Sequence, residues 1–153
     1  IDFVDADGVF SLTKKWNSLI YSEREKYIDK TLKDNNVTFS ADMIKDRNME
    51  INMDKMITDD LSLYKHLDRE QIEEIVGNYN IPNDLSGIGL VLIADSYSKP
   101  EEAGVYFVTF IDLDTKEVLS TERKSGKAKG FGLRNYWANS FYRVLKEVGE
   151  EYE

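Results

Sequence analysis

The chain has 153 residues, 41% hydrophobic and 32% charged, with no cysteine and a formal charge of −9. A domain of this length buries roughly 70% of its unfolded surface and needs no disulfide or metal staple, and the missing cysteines exclude thiolate metal sites and cysteine nucleophiles. The acidic balance speaks against a general nucleic-acid binder, which displays a basic face that releases counterions, and the longest apolar run, Leu90 to Ala94, is far short of the ~20 residues of a bilayer span.

Ile1 to Val4 reads as a short strand truncated at its start, and Asp5-Ala6-Asp7-Gly8 as a turn. From Ser11 the period is helical, with Leu12, Trp16, Leu19, Ile20, Tyr27 and Ile28 near one face, until Asn35-Asn36 ends it. Val37-Thr38-Phe39 reads as a short strand, whereas residues 41 to 63 are charge-rich and show no period. Asp68 with Gln71 three residues on predicts a helix start, because the carboxylate accepts from free backbone N–H groups. That helix runs to about Tyr79, buries Ile72, Ile75 and Val76, and stops before Ile81-Pro82. Ile88 to Ala94 and Val105 to Ile111 are apolar on both faces, as inner strands are. Val118 to Lys124 is more polar and suits an edge strand, joined to strand 105 to 112 by the short polar connection Leu113 to Lys116. After the glycine-rich residues 126 to 132, Leu133, Trp137, Phe141, Val144, Leu145 and Val148 mark the buried stripe of a closing helix. The order predicts one α/β (α+β) domain over residues 1 to 153, a two- or three-layer sandwich with a mostly antiparallel sheet and a long C-terminal helix packed on it.

Charge is uneven along the chain. Residues 1 to 115 hold 12 Lys and Arg against 23 Asp and Glu, while residues 116 to 153 hold 8 against 6. The basic residues concentrate between a strand and a helix start, where Lys124, Lys127, Lys129, Gly130, Gly132 and Arg134 form a candidate anion site. Glycines let backbone N–H groups approach an anion, and the helix start and lysines add positive charge. The spacing matches neither the phosphate-loop nor the dinucleotide pattern, and the same residues also suit a tight bend beside a soluble edge strand.

Asp112, Asp114 and Glu117 begin like a calcium loop, but the turn glycine is missing and Arg123 stands at the twelfth position, so turn chemistry explains them better. His66 is the only histidine, and no nucleophile elbow accompanies it. Asp95, after the most apolar strand, has the position of a general acid but no second carboxylate placed opposite it. Tyr136 and Asn139 lie off the buried stripe of the last helix and are candidates to meet a protein partner.

Gly87-Ile88-Gly89-Leu90-Val91, Tyr106 to Asp112, Lys116-Glu117-Val118-Leu119 and above all Gly130-Phe131-Gly132-Leu133-Arg134-Asn135-Tyr136-Trp137-Ala138 resemble an exported α/β family of Bacteroides-type bacteria. The resemblance covers about residues 70 to 148, and the family carries no assigned activity to transfer. At the level of the fold the pattern is similar to small α/β domains of envelope assemblies such as the curli secretion lipoprotein. Together with a start at Ile1 rather than Met, the resemblance implies a periplasmic or envelope-associated protein, with a signal or lipid anchor upstream. The expected role is a non-catalytic binding or interaction module without a cofactor or metal. The alternative is a small-anion binder, or an enzyme on an anionic substrate, at residues 126 to 134. These differ in what they need, an exposed apolar or edge-strand surface against a concave polar pocket.

Overall fold

The computed structural model describes residues 6–33, 36–52 and 55–152, with side chains from residue 8 onward. Three strands, β1 (Ile88–Ser98), β2 (Ala103–Asp112) and β3 (Val118–Lys127), pair antiparallel in the order β1-β2-β3. The expected partnership of the last two strands is present, with Phe107 opposite Arg123 and Thr109 opposite Thr121. Two details differ. Among the described residues β1 is an edge strand rather than an inner one, because apolar side chains on both faces report that both faces are covered and carry no information about backbone neighbours. β3 continues to Lys127, three residues beyond the expected end, so Gly126 belongs to the strand and not to the loop.

Alternation along β1 and β2 feeds two cores. Leu90, Leu92, Tyr106, Val108 and Phe110 meet the closing helix α5 (Leu133–Glu151) and the first helix α1 (Ala6–Ser22). Val91, Ile93, Ile111 and Val118 meet Ile72 and Val76 of α4 (Arg69–Gly77) and Met43 of α3 (Asp42–Met49). The fold is therefore a three-layer α+β sandwich with helices on both faces of the sheet. No helix among the described residues is long and apolar enough to cross a membrane.

The amino-terminal third departs most from the sequence pattern. The expected first strand, residues 1 to 4, lies outside the described residues. Ala6 to Gly8, expected in a turn, already belong to α1. A π-helical turn, Glu25–Asp29, leads into the short α2 (Lys30–Leu32), which ends where Lys33 adopts a left-handed φ of 54°. Residues 37 to 39 form no strand, and the Val37 carbonyl instead accepts from the Arg24 guanidinium. α3 buries only Met43, which is why no hydrophobic stripe announces it. At α4 the expected start is present as a capping box. The Asp68 carboxylate accepts from the Gln71 N–H at 2.8 Å, and the Gln71 side chain accepts from the Asp68 N–H at 3.0 Å.

Candidate functional site

The segment between β3 and α5 is built from the strand end outward. Lys124 is not available to an anion, because alternation on β3 turns it inward against α5. Its Nζ lies 2.7 Å from Glu151, 3.0 Å from Glu147 and 3.5 Å from Glu122, with 7% of the side chain exposed. The hydrogen bond to Glu151, reinforced by the other carboxylates, holds its ammonium well above the ordinary lysine range despite burial. Lys124 therefore straps the sheet to the helix.

Beyond it the chain is tied down at each step. The Ala128 N–H donates to the Glu102 carbonyl, the Lys129 N–H to the Tyr136 carbonyl, and the Asn139 side-chain amide to the Lys127 carbonyl. Gly130 (φ +124°) and Gly132 (φ +76°) occupy the left-handed region that side chains rarely enter. Between them Phe131 stands 96% exposed. Lys127 and Lys129, which precede it, are exposed, as is Arg134. Tyr136, expected to face outward, is only 8% exposed, because the Ala128–Lys129 segment folds back over the first turn of α5 and the ring packs 4.9 Å from Trp137. Asn139 is half-buried and spends its amide on the loop.

Arg134 is drawn elsewhere. Its carbonyl accepts from Trp16 Nε1 at 3.0 Å, and its side chain lines a cleft of about 300 Å³ shared with α1. The α1 residues of that cleft carry no motif and lie about 115 positions earlier in the chain, so nothing local marks them.

A second cluster forms where β1 bulges between Ala94 and Ser96. The Asp95 side chain, fully buried, accepts from the Leu67 N–H at 2.8 Å, from the Tyr64 hydroxyl, and lies 2.6 Å from His66 Nδ1. Burial, followed by the bond to Asp95, pushes the Tyr64 hydroxyl above its ordinary value. The sequence offered His66 and Asp95 separately, 29 positions apart, and only the fold joins them. Ser96 Oγ contacts Tyr64 at 3.1 Å rather than His66, so no hydroxyl nucleophile is aligned on the imidazole. The chemistry of this group is that of a clamp, which fixes residues 64 to 67 to the bulge.

At the β2–β3 turn Asp112 Oδ1 accepts from the N–H groups of Asp114 (2.8 Å) and Thr115 (3.1 Å), the turn role expected of it. Among the described residues no group of three His, Asp or Glu side chains is placed to hold a metal ion. Compared with protein-family models, with curated proteins and with solved structures, the chain has no significant match.

Proposed function

We propose that this protein is a non-catalytic binding module of the cell envelope, and that Phe131 is the anchor with which it takes a protein partner. The observation that carries the proposal is a phenylalanine 96% exposed on a turn whose flanks are bonded to the body of the fold. Scattered exposed hydrophobics are ordinary, but this one is held out by two left-handed glycines rather than left over on a helix or strand. Burying such a ring is worth about 1.5–3 kcal/mol, which a partner pocket recovers and the free chain forgoes. Lys127 and Lys129 supply the polar rim that surrounds such anchors.

The envelope location and the kinship with an exported family belong to the same proposal. They are supported by the resemblance over residues 130 to 138, a motif that contains Phe131 itself. Replacing Phe131 with a photo-crosslinking phenylalanine, in cells that naturally make the protein, is expected to yield one discrete crosslinked species in the envelope fraction. The same probe at Tyr152, also exposed, serves as the control. Crosslinking at residue 131 no stronger than at 152 overturns the anchor, and a chain recovered with the cytoplasm overturns the location.

A further inference from the structure

We infer that the cleft between α1 and the start of α5 is a binding site for a phosphate dianion, free or esterified to a small body. This site is separate from the Phe131 anchor and stands without it. Lys14, Lys15, Ser18, Leu19 and Ser22 line it from two successive turns of α1, and Arg134 closes it from α5. Spacings of three and four residues put these α1 positions on one helix face. The buried Leu19 forms the floor. At about 300 Å³ and open to solvent, the cleft has room for a tetrahedral anion.

The charge arrangement supports an anion in this cleft. In a chain with 29 acidic and 20 basic residues, Arg24, Lys26, Lys30, Arg69 and Lys124 each sit against a carboxylate. Among the described residues no carboxylate pairs with Lys14, Lys15 or Arg134. Lys15 and Arg134 line the concavity, and Lys14, whose Nζ rests over the Phe10 ring, adds a third positive charge to its lining; an anion of charge −2 offsets more of that charge than a monocarboxylate does.

The donors suit a tetrahedral oxyanion. Two lysines act as point charges and the guanidinium as a planar fork, whose Nε is held by Asn135 Oδ1 at 3.2 Å, so the two Nη groups remain to donate. Ser18 adds a hydroxyl, while Ser22 donates its own to the Leu19 carbonyl at 3.2 Å. Arg134 stands in the first turn of α5, where Gly132 provides no side-chain cap and the positive end of the helix dipole adds to the field. Two contacts hold the frame. The Trp16 indole N–H fixes α5 to α1 through the Arg134 carbonyl, and Lys14 Nζ rests 4.4 Å above the Phe10 ring. A nucleic-acid backbone needs a longer basic track than one cleft on an acidic chain.

The test titrates the full chain with sodium phosphate, and separately with glycerol 3-phosphate, by calorimetry and thermal shift at constant ionic strength. Saturable binding with a rise in Tm is expected. Lys15→Ala with Arg134→Ala should weaken it by at least about tenfold, the loss expected for two charge-assisted contacts. Lys127→Ala with Lys129→Ala removes the same charge from the neighbouring loop and should leave Kd within about twofold. All four side chains are exposed, and Lys14→Gln alone provides a milder variant of the same site. Tighter binding of the ester assigns the ligand to phosphomonoesters and equal binding to the free ion, and in both cases the site stands. No saturable response at constant ionic strength, or equal losses in the two double variants, overturns it.

Discussion

At Gly126 and Gly149 the fold depends on the absence of a single carbon. A Cβ on Gly126 would lie well inside van der Waals contact with the Ser140 carbonyl oxygen, and one on Gly149 would strike the Thr31 carbonyl. Both neighbours are backbone, which yields only if an element moves. Gly126→Ala is expected to destabilise by about 2–3 kcal/mol in urea unfolding, the cost of overpacking, whereas Gly77→Ala, with nothing within 4 Å, should change stability little. Equal effects of the two would refute the close-packing account.

Tyr79 makes a pH prediction. It is 4% exposed, and burial pushes its hydroxyl up to about 12, with Arg47 offsetting part of the shift. Between the ordinary value near 10 and about 12 the folded chain keeps a proton that the unfolded chain releases. The stability tied to this group is therefore complete below about pH 10 and declines as pH rises through the folded value. Comparing urea unfolding of the wild type and Tyr79→Phe from pH 9 to 12 should show a shallower decline in the variant, by about 2–3 kcal/mol at the top of the range. Parallel curves would mean that Tyr79 ionises in the folded state as it does in the unfolded.

Among the elements, those whose signals are local were legible in the sequence. The capping box of α4 needs only Asp68 and Gln71, three residues apart, and the stripe of α5 needs only its own period, so both stand where the pattern puts them. Elements fixed by distant partners were not legible. α3 buries one side chain and shows no stripe, and residues 37 to 39 have strand composition but a guanidinium instead of a strand as partner. The Asp95 clamp belongs to the same class, since a bulge on β1 and a segment some 30 residues earlier together make it. Asp95→Ala leaves the Leu67 N–H, the His66 ring and the Tyr64 hydroxyl without their shared acceptor. A loss of about 2 kcal/mol is expected, with faster amide exchange at Leu67 than in the strands. Unchanged protection at Leu67 would show that the segment is held by other means.

Across the whole molecule, β1 and β2 each carry both cores, with Leu92 and Val108 on the α5 side and Ile93 and Ile111 on the α4 side, so the two helical layers are coupled through the sheet. The sequence by itself determined the α+β class, the β2–β3 pairing, the start of α4 and the buried face of α5, because period, caps and short polar turns act within about twenty residues. It also marked residues 124 to 134 as unusual for an acidic chain. Only the tertiary structure decided what that segment does. It turned Lys124 onto three carboxylates, folded the loop over Tyr136, left Phe131 outside, and carried Arg134 to two lysines of α1. The physical reason is that a side chain's charge and period are properties of its own segment, whereas its burial and its partners depend on which distant surfaces pack against it.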